Sequence, residues 1–158
     1  MRPYLRPLLT LGFVFGMAPA GAADGPRLTT EVVQRVIAAA VARAGAIKVP
    51  MGISVVDAGG NLVGFVKMEG AFVHTHHTSF AKAYTAASVR RPTHETGIPA
   101  PILSELGAVT QGRLTGLPGG YPLVLDGRVI GGIGVGGGNA EQDMDVARAG
   151  AAASAPPR

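Results

Sequence analysis

His74, His76 and His77 place three of the chain's four histidines within four positions. Neutral imidazole is the commonest protein ligand for metals and also ligates haem iron. The stretch around them, residues 69–93, reads EGAFVHTHHTSFAKAYTAASVRRPT. A helix is expected from about Thr75 to Val89, with Phe80, Ala83, Tyr84, Ala87 and Ser88 along one side. Pro92 ends it by forcing Arg91 out of the helical region. His76 and His77 would then occupy the first turn, where the positive end of the helix dipole favours the neutral, ligating imidazole. Adjacent helical residues point about 100° apart, so these two are not expected to converge on one ion. His74 and His77, three apart, converge if the helix begins early. As metal ligands, His77, His74 and His76 suit one axial position better than a compact tetrahedral zinc site. Zinc would need Glu69 and His94 to swing in. His77 is the first choice, because it shares a side with Phe80, Ala81 and Tyr84.

Other side chains could complete a ligand site. Phe80 and Tyr84 lie one turn apart and offer a flat wall to a planar ligand, or ordinary packing against a sheet. Lys82, Arg90 and Arg91 can pair with carboxylates or phosphates. The run Gly134-Val135-Gly136-Gly137-Gly138 precedes a helix, as phosphate loops do. It lacks the Lys-Ser/Thr of a P-loop and the full dinucleotide spacing, which points instead to a tight strand-to-helix turn with closely packed backbone. There is no cysteine, which excludes disulfides, thiolate ligands, a cysteine nucleophile and haem attachment through Cys-x-x-Cys-His. No serine sits in a nucleophile-elbow context.

The elements that must hold these residues follow from local signals. Thr29 is a natural N-cap and Glu31 a first-turn carboxylate. Val32, Val33, Val36, Ile37, Ala40, Val41 and Ala44 then recur at helical spacing up to a stop at Gly45. Met51–Asp57 and Leu62–Met68 read as strands joined by a turn at Ala58-Gly59-Gly60-Asn61, with Asp57 as its acceptor. Ile98, Ile102, Leu103, Leu106 and Val109 indicate a short helix, with Pro99 and Pro101 tolerable only near its first turn. Tyr121–Leu125 and Val129–Val135 form a second hairpin around Asp126-Gly127. Asn139 and Gln142 make a capping box for a last helix. Two hairpins with helices packed on them give an α+β domain with a mostly antiparallel sheet.

The chain has 158 residues. Arg2 and Arg6, the apolar run Leu8–Ala18 and the small-residue site Ala20-Gly21-Ala22 read as a signal peptide, residues 1–22. Residues 23–158 then form a single domain, exported to the periplasm or secreted, with no stable membrane insertion after cleavage. Setting aside Arg2 and Arg6 halves the formal net charge of +4. With no basic run or aromatic-basic stripe, nucleic acid is not an expected partner.

A series of motifs, in order, resembles the small haem-binding or haem-degrading domain family of the HbpS and GlcG type, found also as the C-terminal domain of some corrinoid adenosyltransferases. They are Leu28-Thr29-Thr30-Glu31, Val55-Val56-Asp57-Ala58-Gly59-Gly60-Asn61-Leu62, Met68-Glu69-Gly70-Ala71, Lys82-Ala83-Tyr84-Thr85-Ala86, Arg91-Pro92-Thr93, Leu117-Pro118-Gly119-Gly120 and Gly131-Gly132-Ile133-Gly134-Val135-Gly136-Gly137, running on into Ala140-Glu141-Gln142-Asp143. The resemblance spans about Leu28 to Ala151. It implies a profilin-like fold of α/β/α layers, homo-oligomers, and members that bind haem. It also implies a ligand site between Glu69-Gly70-Ala71 and Lys82-Ala83-Tyr84.

The reading that follows is an exported protein holding haem non-covalently for uptake, storage or sensing. An imidazole from His74, His76 or His77 would ligate iron, Phe80 and Tyr84 would supply apolar surface, and Arg90 or Arg91 would meet the propionates. The alternatives are a module for a divalent transition metal or small organic ligand, and a haem-degrading enzyme. Binding is expected over catalysis, because no acid–base pair stands out.

Overall fold

The computed structural model describes residues 25–155; the expected signal peptide, residues 1–22, lies outside them. The elements in order are α1 (Thr30–Ala46), β1 (Gly52–Asp57), β2 (Leu62–Lys67), α2 (Thr75–Val89), a 3-10 turn (Thr93–Glu95), α3 (Ala100–Val109), β3 (Gly120–Leu125), β4 (Arg128–Gly136) and α4 (Ala140–Ala152). The four strands form one sheet in the order β2-β1-β4-β3, and every pairing is antiparallel. The domain is α+β, as expected.

Local chemistry sets most boundaries. The Thr29 hydroxyl accepts from the Val32 amide and starts α1. The Asp57 carboxylate accepts from the Gly59 and Asn61 amides and closes the first hairpin. Asn139 and Gln142 form a complete capping box on α4. Pro99 precedes α3 and Pro101 falls in its first turn, where a missing amide proton costs nothing.

Strand alternation divides the core between two faces. Ile53, Val55, Ile133 and Val135 face α1 and α4, joining Val36, Ala40, Val146 and Ala147 in the main core. Each fully buried Ile or Val there stabilises the fold by roughly 1.5–3 kcal/mol. Arg43 and Asp145 join α1 to α4 at 2.7 Å on the surface. The opposite face carries α2. Here β4 presents Gly132, Gly134 and Gly136, and β1 presents Ser54, whose hydroxyl meets that of Ser79 at 2.7 Å. A Cβ at Gly132 or Gly134 would overlap backbone atoms of α2 at Ser79 or Ala83. The alternate glycines therefore let the α2 backbone rest directly on the sheet. The layers are α1 and α4, the sheet, then α2.

Helix α3 stands apart from this core. None of its residues is buried, and Val109 is 75% exposed.

Candidate functional site

Because α2 lies so close to the sheet, its first turn is fixed beside the edge strand β2. His76, His77 and Phe80 of α2 line a cleft of about 470 Å3 with Gly60, Asn61, Leu62 and Phe65 of the first hairpin and with Arg113. That volume falls within the range of about 300–1,000 Å3 common for ligand pockets. The walls are aromatic and aliphatic, the rim carries two imidazoles, and one cation stands at the side.

The His76 ring is oriented. Its Nδ1 lies 2.6 Å from the Val73 carbonyl oxygen. A carbonyl only accepts, so Nδ1 carries the proton, and in the neutral ring it is Nε2 that keeps the lone pair. Metal-ligating histidines commonly have this arrangement, in which the backbone fixes the tautomer and the ring plane. The His77 ring stands beside it, with centroids 3.6 Å apart and planes tilted by 42°. The two rings thus lie side by side although their positions are about 100° apart around the helix. In the first turn no preceding helical turn constrains the side chains, and the Val73 carbonyl draws the His76 ring back toward its neighbour.

His74 goes elsewhere. It stacks on Phe72 at 5.6 Å and 9°, and lines a separate cleft with Thr78 and Lys82. The suggested convergence of His74 with His77 does not form. Among the described residues, no three or more His, Asp or Glu side chains gather as a metal shell. His94 instead meets Glu95 at 3.1 Å.

Phe80 lines the main cleft and packs beneath on Val56, Ala83 and Ala87. The Tyr84 ring lies 6.1 Å from that of Phe80. It covers Gly60, where a Cβ would come within 2.6 Å of the ring, and lines a neighbouring hollow with Val109, Thr110, Gln111 and Arg113. Arg90 and Arg91 stand at the other end of α2, about 20 Å from His77 at 1.5 Å per residue. Arg90 terminates the helix in the left-handed region, at φ 58°.

Sequence reasoning missed Arg113, which follows α3 in irregular chain with no periodic signal. It also missed Leu62 and Phe65 as ligand wall. Their signal was the apolar run Leu62-Val63-Gly64-Phe65-Val66, which lies on an edge strand that leaves Leu62, Val63 and Phe65 exposed.

Lys82 does pair with a carboxylate, but within the chain. Its Nζ donates to Asp143 Oδ2 at 2.6 Å and to the Val135 carbonyl at 2.7 Å. The two side chains are only 5% and 7% exposed. Burial pushes the Asp143 carboxyl above its ordinary range, while the Lys82 ammonium and the Gly138 amide pull it back. The Gly138 amide donates to Asp143 Oδ1 at 2.9 Å. The glycine run thus does hold an anion, the chain's own Asp143.

Fold and cleft together define a three-layer α/β/α domain with a histidine-rimmed apolar cleft at the edge of its sheet. The family model described as haem degrading protein HbpS-like matches residues 28–152, and the chain belongs to this family. It is 40% identical over 119 residues to an uncharacterized 15.0 kDa protein of the dhaT-dhaS intergenic region of Citrobacter freundii, covering 73% of this chain and 84% of that one. It is 39% identical over 118 residues to the corrinoid adenosyltransferase PduO of Salmonella typhimurium, covering 73% of this chain but 35% of that enzyme. The crystal structure of a PduOC:haem complex superposes with a TM-score of 0.74 at 36% identity, covering 81% of this chain and 95% of that one.

Proposed function

We propose that this is an exported haem-binding protein that holds haem non-covalently in the cleft between α2 and β2. The observation that carries the reading is the His76 imidazole, fixed through Nδ1 by the Val73 carbonyl with Nε2 left free. The donor set fits the group: a neutral imidazole for iron, Leu62, Phe65 and Phe80 for the macrocycle, and Arg113 for a propionate. Haem would supply an iron centre able to take an axial ligand. His76 is the proposed ligand, and His77 beside it is the nearest substitute. The haem complex of the PduOC relative supports haem as the bound molecule. Export rests on the amino-terminal charge, apolar run and Ala-x-Ala site.

A homo-oligomer belongs to the proposal. Helix α3 leaves Ile102 and Val109 uncovered, and β2 leaves Val63 uncovered at a sheet edge. A second copy would cover such surface.

Turnover of bound haem is the second reading, favoured by the family's description. Titration of haemin into the tag-free protein tests the first. A saturable, sharpened Soret band is expected, and only the broad spectrum of free haemin would overturn it. Release of product from the loaded protein with a reductant would move the assignment to an enzyme.

A further inference from the structure

A second cleft, of about 180 Å3, lies on the other side of the start of α2, lined by Phe72, His74, Thr78, Lys82, Leu117, Gly136–Gly138 and Asp143. It is too small for a macrocycle and shares no lining residue with the histidine-rimmed cleft.

Lysine has three N–H donors. Lys82 spends one on Asp143 and one on the Val135 carbonyl, and the third has no acceptor among the described residues. The Thr78 hydroxyl and the His74 imidazole beside it can each donate as well as accept. The Thr78 hydroxyl makes only a long bond of 3.4 Å to the His74 carbonyl. The His74 ring stacks on Phe72, and its N–H meets no acceptor among the described residues. Both Asp143 oxygens already accept, at 2.6 and 2.9 Å. The Lys82 ammonium thus keeps one unspent N–H beside a hydroxyl able to donate, and the one carboxylate is engaged, so an acceptor-bearing anion complements the cleft.

Gly136 makes the space. A Cβ there would lie 2.8 Å from the Thr78 hydroxyl and 3.7 Å from Lys82 Nζ. The missing side chain thus leaves a gap between an ammonium and a hydroxyl. Phe72 and Leu117, both more than half exposed, form an apolar lip above it.

We infer that this cleft is a binding site for a small carboxylate, with Lys82 Nζ and the Thr78 hydroxyl holding the carboxylate oxygens and a short aliphatic tail lying against Phe72 and Leu117. The ligand needs no haem, and the site stands whether or not the larger cleft takes haem.

The test is a two-dimensional amide NMR titration of the full protein with acetate and propionate, and with acetamide and propionamide as neutral isosteres. The expected result is saturable shifts at Thr78 and Gly136–Gly138 with the acids only. In Gly136→Ala the new methyl fills the gap. Only the rotatable Thr78 hydroxyl must give way, so this variant retains the fold. Carboxylate affinity should fall at least tenfold there, and in Thr78→Val, which keeps the shape but removes the donor. Absent local shifts, equal shifts with the amides, or unchanged affinity in a folded Gly136→Ala protein would each overturn the site.

Discussion

Gly134 of β4 lies directly beneath Ser79 of α2, so close that a Cβ on the strand would overlap the Ser79 carbonyl oxygen. That contact sets how far α2 stands from the sheet, and so where His76 and His77 meet the first hairpin. The atoms a methyl would strike are helical backbone, which cannot rotate away. Gly134→Ala should cost about 3 kcal/mol, at the upper end for overpacked cores. Urea unfolding measures it, and a loss under 0.5 kcal/mol would refute this account of helix seating. Gly45→Ala is the control. Nothing lies within 4 Å of its Cβ position in the last turn of α1, so a gain of roughly 0.5–1 kcal/mol is expected.

The buried pair of Lys82 and Asp143 ties α2 to α4. Removing one partner leaves a buried charge uncompensated, which typically costs about 3–5 kcal/mol. Lys82→Met should therefore lower the urea midpoint sharply. Lys82→Met combined with Asp143→Leu should recover much of the loss. Equal destabilisation in the single and double variants would show that the pair is not coupled.

The first hairpin carries a pH signature. Asn61 and the Gly59 and Asn61 amides hold the Asp57 carboxyl below its ordinary value. A depressed folded-state pKa means that the contribution is present above the unfolded value and is lost as pH falls through the folded one. Asp57→Ala should cost about 1 kcal/mol at neutral pH, the scale of an exposed turn hydrogen bond. The gap to the parent protein should close below the ordinary carboxylate range. A gap constant from pH 7 to pH 2 would contradict the assignment.

Arg113 is the cation of the main cleft, and Arg90 and Arg91 are not near it. Arg113→Ala should weaken haemin binding roughly fivefold, or about 1 kcal/mol for an exposed ion pair. Arg90→Ala and Arg91→Ala should leave binding unchanged. The reverse pattern would place the propionates at the other end of α2.

Much of this architecture was legible because its signals are local. Thr29, the Asp57-to-Asn61 turn, Pro92 and the Asn139–Gln142 box each act within a few residues, and each sits where the spacing indicated. The site was only half legible. The histidine cluster and Phe80 announced the cleft, but the ring directions did not follow from helical angles. His76 is turned by a carbonyl three residues back, in a turn with no neighbour above it. Lys82 and Asp143 are 61 positions apart, and Arg113 reaches the cleft from irregular chain. Such contacts arise from the layer packing, which no short window contains. The glycines of β4 read as a turn signal, whereas their alternate spacing builds the seat of α2.

The measurement that bears most directly on the central claim compares the haem-loaded Soret spectra of His74→Ala, His76→Ala and His77→Ala with the parent protein. His76→Ala should lose or shift the band, because its Nε2 is the proposed iron ligand. His77→Ala should broaden it while retaining saturation, and His74→Ala should leave it unchanged. A His76→Ala spectrum identical to that of the parent would contradict the account.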